Sequence, residues 1–303
     1  DHPQAWCAGC HAPTAGALRA LGALGVDPSA RVAPPADPAA GLPGDGVPCA
    51  ACHQRGRDPD KPLQIGTPGP PSLWARLAHP AAEDPGLRSG EVCAGCHDFP
   101  FPAHRPIAPF TYGDQPLQAT FAEWSQSADA RAPAPRGCAG CHLPGGRHTF
   151  PGAHDPAFVG AALELALTPG CPTWTATLTA TGAAHAVPTG DPWRAVELEL
   201  CADLGCAAVV GRARFGRSHA PDATTWRLTA DTRVPPATDG PAAARALAVA
   251  VDGPVVGYRL WMRLADPRTA DPARARPLDP ALARVLLREG PVPAAPPCPG
   301  APP

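Results

Sequence analysis

The sequence predicts two unlike halves: a sparsely helical, loop-rich half organised by covalently attached groups, and a small antiparallel β-sandwich behind it. Three observations lead there. Eight of the twelve cysteines fall into four Cys-x-x-Cys-His motifs, all within the first 142 residues. Gly (31) and Pro (45) make up about a quarter of the 303 residues, a level at which low complexity is the default expectation unless something else supplies order. From Cys171 onward the apolar pattern changes to a period of two, the periodicity of strands.

The motifs are "CAGCH" (Cys7, Cys10, His11), "CAACH" (Cys49, Cys52, His53), "CAGCH" (Cys93, Cys96, His97) and "CAGCH" (Cys138, Cys141, His142). Composition alone would produce this pattern about 0.02 times in such a chain. Their first cysteines are 42, 44 and 45 residues apart, a loose repeat of one unit per motif. Two thiols separated by two residues can each form a thioether to one vinyl group of a haem, and the following His reaches the iron as proximal ligand. A unit of roughly 44 residues is too small to bury a haem by packing alone, so covalent attachment holds it and the cofactor becomes the core. Zinc ribbons and disulfide knots are the alternatives. A zinc site needs no His after every second cysteine, and all four motifs have one. The cofactors expected are therefore four covalently bound haem c groups. The first half is expected to be an α-plus-irregular multihaem cytochrome domain with little regular structure.

The sixth iron ligand decides between binding chemistry and electron transfer. Beyond the proximal His11, His53, His97 and His142, seven histidines remain: His2, His79, His104, His148, His154, His185 and His219. Four are needed for bis-histidine ligation throughout. The single methionine, Met262, lies in the strand-like run "YRLWMRL" and is no general answer. His185 has the strongest setting, because the Pro-Thr-Gly turn after it would aim the ring and Arg194 could pair a haem propionate. His154 in "FPGAHDP", His148 in "GGRHTF", His2 just before Cys7 and His79 in "LWARLAHP" complete the distal candidates. His104 and His219 read as solvated.

Along the chain, residues 1–27 carry the first motif with a short helix at "TAGALRALGAL". Residues 27–48 have no periodicity and read as a loop. Residues 49–167 hold the other three motifs on short helices and loops, closed by an amphipathic helix at "DPAFVGAALELAL". The tetrahaem domain is thus expected over 1–167. The β-sandwich follows over 171–265, its strands read from "TWTATLTATG", "WRAVELELC", "CAAVVGRARF", "TTWRLTADTRV" and "AARALAVAVDGPVVGYRLWMRL". Residues 266–303 add a last helix at "DPALARVLLREG" and a Pro-rich extended tail. Four cysteines lie outside the motifs. "CADLGC" sets Cys201 and Cys206 across a hairpin loop, which leaves Cys171 to pair with Cys298 among three arrangements.

A net charge of −2 gives no basic footprint and excludes nucleic acid as a partner. No run of roughly eighteen apolar residues marks a membrane span. The single lysine, Lys61, and the lack of Asn fit a GC-rich coding bias and leave no N-glycosylation acceptor. Asp1 in place of Met, with no leader after it, is expected of a mature exported chain whose signal peptide has been removed. Ferric bis-His haems add about −1 each through their propionates, which favours a basic redox partner.

Three segments resemble a set of multihaem c-type cytochromes: "LQATFAEWSQS" before the fourth motif, "CAGCHLPGGRHTFPGAHDP" through it and "HAVPTGDPWR" after it, with "DTRVPP" at 231–236 similar to a later strand. The set includes tetrahaem carriers of the cytochrome c-554 type and the OmcE-like tetrahaem cytochromes of extracellular nanowires. The likeness covers roughly residues 70–265; only the haem motifs match before that. Leu143 stands where relatives often carry Met, a packing change that leaves ligation untouched. The resemblance implies that His185 is a distal ligand and that "FPGAHDP" supplies another. It also implies an extracellular or cell-surface protein that passes electrons to redox proteins or an external acceptor. Self-association through terminal haems into a conductive filament follows from it, with His2 and the Pro-rich tail as contact elements. The alternatives are a periplasmic monomeric shuttle, a multihaem oxidoreductase with one open haem, and a β-half that docks a surface partner. No motif ends in Lys, and Tyr112 and Tyr258 are the only tyrosines for a cross-linked catalytic haem, so an electron carrier rather than an enzyme is expected.

Overall fold

A computed structural model of the chain describes residues 49–55, 64–67, 69, 81–103, 112–223, 225–240, 242–265 and 283–295. Strand is the commonest regular structure among these residues: thirteen strands stand against six short α-helices. The expected α-plus-irregular first half is therefore corrected, because strands run through both halves. The short helix expected at 14–24 and the tail beyond 295 lie outside the described residues.

Strands β1 (Gln54–Arg55), β2 (Gln64–Thr67) and β3 (Ala81–Glu83) form one small sheet, with β2 and β3 parallel. Strands β4 (Asp98–Pro102) and β5 (Tyr112–Ala119) make an antiparallel ribbon. Proline normally argues against a strand because it removes a ladder donor. In a two-stranded ribbon each strand keeps an open edge, and the register breaks beside Pro100, so "DFPFP" and "YGDQPLQA" are tolerated. Between and after these strands run helices α1 (Cys49–His53), α2 (Gly86–Ser89), α3 (Glu91–His97), α4 (Thr120–Ser125), α5 (Gly137–His142) and α6 (Pro156–Ala161).

The second half packs two sheets face to face. One has the order β10-β9-β8-β12-β13, from β8 (Ala195–Cys201), β9 (Val209–Pro221), β10 (Trp226–Asp231), β12 (Gly257–Arg263) and β13 (Arg284–Pro291). The other is β11-β7-β6, from β6 (Leu163–Thr168), β7 (Thr173–Thr181) and β11 (Ala242–Ala250). The alternation in the sequence explains the core. Val196, Leu198 and Leu200 of β8 turn inward onto Trp174, Leu178, Phe215, Leu260 and Met262. Glu197 and Glu199 turn outward, where Glu197 accepts two bonds from Arg263 (2.6 and 2.8 Å) and Glu199 accepts from the Trp261 indole (2.9 Å).

Two expected helices give way to strands in their described residues. In "DPAFVGAALELAL" the helix is real only over α6, started by Asp155 accepting from the Phe158 N–H (3.0 Å) with Pro156 in its first turn. It stops at Ala161, and Leu163, Leu165 and Leu167 then alternate inward as β6, pairing with β7 from Leu163 opposite Ala180. "RVLLREGP" is β13, paired to β12, with Val285 and Leu287 packed on the core and Arg284 lying 4.0 Å over the Trp261 ring. Leucine and arginine favour helix intrinsically, but an open sheet edge decides here. The sandwich thus draws on 163–168 and 284–291 as well as on residues within 171–265. Cys201 and Cys206 form a disulfide with their Cα atoms 5.0 Å apart. Cys171 is disulfide-bonded as well, and Cys298 lies outside the described residues.

Candidate haem-binding site

Each described motif occupies one helical turn: α1, α3 and α5. Helical geometry puts residues three and four apart on one face, so both cysteines and the following His of each motif point the same way. Two glycines bring the third and fourth motifs together. Gly90, at φ 83, joins α2 to α3, and a Cβ there would overlap the Cys138 sulfur. Gly137, at φ 32, opens α5, and a Cβ there would fall on the Arg88 carbonyl oxygen. The close approach leaves the Cys93 and Cys138 sulfur groups hydrogen-bonded to each other, and that bond together with burial pushes the Cys93 thiol up.

The histidine rings are oriented by acceptors on their Nδ1 side. His53 Nδ1 donates to the Gly66 carbonyl (2.8 Å), His97 Nδ1 to Gln118 Oε1 (3.1 Å) and His142 Nδ1 to the Pro151 carbonyl (2.7 Å). His185 Nδ1 donates to the Ala186 carbonyl (3.0 Å). A carbonyl oxygen can only accept, so the proton sits on Nδ1 and the Nε2 lone pair is left for a metal. Burial also lowers the affinity of His185 for a second proton, which keeps it in the neutral form that a ligand requires.

Two of the proximal rings face a distal candidate. His142 and His185 have ring centres 6.2 Å apart with planes 13° from parallel. His53 and His148 have ring centres 6.1 Å apart with planes inclined by 51°. A metal–imidazole bond is about 2 Å, so two imidazoles on opposite sides of one metal have their centres roughly 6 Å apart. Both pairs meet that requirement. The donor set fits a haem in a second way. The Trp124 indole Nε1 and the Arg194 Nε are closed off from solvent and have no hydrogen-bond partner among the described residues. Buried donors of this kind need an acceptor, and a haem propionate would provide one.

The other candidates fall elsewhere. His154 is exposed and lines a cavity of about 650 Å³ with Pro144, Phe150, Asp155 and Phe158. His219 packs edge-on against Phe101 at 5.1 Å; burial, and then the charges of Arg217 and Arg233, depress it to about 4. Cys7, Cys10, His11, His2, His79 and His104 lie outside the described residues.

The loop carrying His185 is tied to the first half by residues given no role from sequence. Arg217 is buried and donates to the carbonyls of Leu117 (2.9 Å) on β5 and Gly190 (2.7 Å) on the loop. Burial lowers its pKa to about 10. Thr120 and Thr189 share a hydroxyl bond at 2.8 Å. Glu123 and Arg233 pair at 2.7 Å. Gln118, Glu123 and Arg233 all sit in the segments that carry the resemblance, which was the one available signal for them.

No family model matches the chain, and no curated protein matches it. Its fold is similar to the crystal structure of a penta-heme cytochrome c552 from Thermochromatium tepidum, with 22% identity over 95% of this chain and 84% of that one and a TM-score of 0.59. The architecture is thus one that a multihaem c-type cytochrome adopts, and it does not single out the nanowire group. That protein is described as carrying five haems; this sequence carries four Cys-x-x-Cys-His motifs.

Proposed function

We propose that the chain is a tetrahaem c-type cytochrome, an electron carrier working outside the cytoplasm with two histidines on each iron. The opposed imidazoles of His142 with His185 and His53 with His148 carry this assignment. A haem bound at such a site supplies reversible one-electron chemistry, and with both axial positions filled by protein it supplies little else. The chain's own residues do the rest. Cys49 and Cys52, Cys93 and Cys96, and Cys138 and Cys141 anchor the groups by thioethers, as Cys7 and Cys10 do at the first motif. Gly66, Gln118, Pro151 and Ala186 hold the ligand rings in the tautomer that presents Nε2. Arg194 and Trp124 offer donors for carboxylates. Because Gly90 and Gly137 let α2 and α3 close onto α5, the groups of the third and fourth motifs start from adjacent points, the arrangement a relay needs. The similarity of fold to a penta-heme cytochrome supports the same assignment.

Disulfides beside thioether-forming cysteines favour an oxidising compartment, at the cell surface or in the periplasm. Among the described residues no helix is long and apolar enough to cross a membrane. The holoprotein is expected to contain four haem c per chain by pyridine haemochrome titration. Its ferric electron paramagnetic resonance spectrum should be low-spin throughout, and carbon monoxide should leave the reduced visible spectrum unchanged. Fewer haems, or carbon monoxide binding by the intact protein, would overturn the assignment in favour of a different cofactor load or an open catalytic iron.

The resemblance to nanowire cytochromes extends the proposal to self-association. Electron microscopy of the native preparation is expected to show filaments with a repeat of one chain. Single particles alone would restrict the protein to a monomeric shuttle.

A further inference from the structure

We propose that Glu123 is a positioning residue for the distal ligand His185, fixing the imidazole through the backbone of Ala186; this rests on the assignment of His142 and His185 to one iron. His185 comes from a loop rather than from a sheet, so its aim depends on what pins that loop. Glu123, on α4, is the centre of the pinning. Its Oε2 accepts from the Ala186 N–H (3.2 Å) and from the Thr189 hydroxyl (2.8 Å), gripping the loop on both sides of Val187 and Pro188. Its Oε1 accepts from Arg233 Nη1 at 2.7 Å. Both side chains are nearly enclosed, with 12% of Glu123 and 10% of Arg233 exposed.

Arg233 cannot swing to follow a displaced carboxylate. Asp231 holds it by a fork, Nε to Oδ1 at 3.0 Å and Nη2 to Oδ2 at 2.7 Å. Val187 and Val234 exchange backbone hydrogen bonds at 2.9 and 3.0 Å, which fastens the same loop to the same strand end. The link to the ring is direct. One face of residue 186 is held by Glu123 through its N–H, while its carbonyl receives the His185 Nδ1 proton at 3.0 Å. Glu123 thus orients the ring from one residue away without touching it. The Ala186 carbonyl is the group bonded to the ligand itself, where losses change ligation by about 10–100-fold, and Glu123 acts one step further out, through that residue.

The test compares Glu123→Ala, Glu123→Gln and Thr189→Val with His185→Ala in the holoprotein. The readouts are the ferric high-spin fraction, the carbon monoxide affinity of the reduced protein, and the thermal unfolding of the β-sandwich by circular dichroism. Glu123→Ala is expected to give one partly high-spin haem in four, with carbon monoxide affinity at that haem raised up to about 10-fold, the lower end of that range. Glu123→Gln, which keeps an acceptor for Ala186 but loses the charge opposite Arg233, should fall between alanine and wild type. If the alanine variant does not accumulate as folded protein, Glu123→Gln and Thr189→Val decide, because Thr189→Val removes one grip and leaves the ion pair intact. A lowered unfolding temperature with all four haems low-spin and inert to carbon monoxide would assign Glu123 a purely structural role and end the proposal. Should His185→Ala itself leave every haem low-spin, the ligand assignment fails instead, so the two failures are distinguishable.

Discussion

Replacing His185 with alanine is expected to turn one haem in four high-spin and to let the reduced protein bind one equivalent of carbon monoxide per chain. The reason is geometric. His142 faces the His185 ring at 6.2 Å with nearly parallel planes, and among the described residues no other histidine faces it. Alanine leaves that side of the iron with nothing stronger than water, and loss of an imidazole donor should raise the midpoint potential of that haem. Added imidazole should restore the low-spin spectrum, which separates a vacant ligand position from a general loosening of the fold. Stability should fall as well, because the loop would lose the bond that fastens the β-half to the fourth motif. His148→Ala should produce the corresponding change at the second motif. Because His148 is exposed, its loss should affect stability less. Four unchanged low-spin haems in the His185 variant would remove the central support for the assignment.

The proposed chemistry of the site reads from local sequence. Each Cys-x-x-Cys-His motif would hold its attachment points and its proximal ligand within five residues, and each described motif occupies the single helical turn that puts them on one face. The opposing ligands are a long-range matter. His53 meets His148 across 95 residues, and nothing in the local sequence around His148 says that its ring faces His53. Glu123 was visible as a letter in a familiar segment but not as a role. Its partners lie at 186, 189 and 233, and only the fold brings them to one carboxylate. The fold errors have the same origin. "LELALT" and "RVLLREGP" carry residues that suit a helix, and strand pairing with β7 and β12 overrode that preference. In the first half the prolines of β4 and β5 masked a ribbon that tolerates them because neither strand is central.

The approach of the third motif to the fourth makes a prediction of comparable size. Gly137→Val is expected to destabilise the protein by about 1–3 kcal/mol and to narrow the splitting of midpoint potentials between the two haems of these motifs. Gly137 has φ 32, where a β-branched residue is a genuine outlier, and an added Cβ would sit on the Arg88 carbonyl oxygen at the end of α2. Backbone cannot yield as a flexible side chain can, so α5 must move away from α2, carrying Cys138 off Cys93. Two charged centres repel in inverse proportion to their separation, so the reduction of one haem then disfavours reduction of its neighbour less. Gly145→Ala is the control. Gly145 has φ 63, but nothing lies within 4 Å of an added Cβ, so that variant suffers backbone strain of about 1 kcal/mol without displacing a motif. Spectroelectrochemical titration should show the wild-type splitting retained in Gly145→Ala and reduced in Gly137→Val. Equal splittings in both would mean that the spacing of the two motifs is set elsewhere than at the contact of α2 with α5.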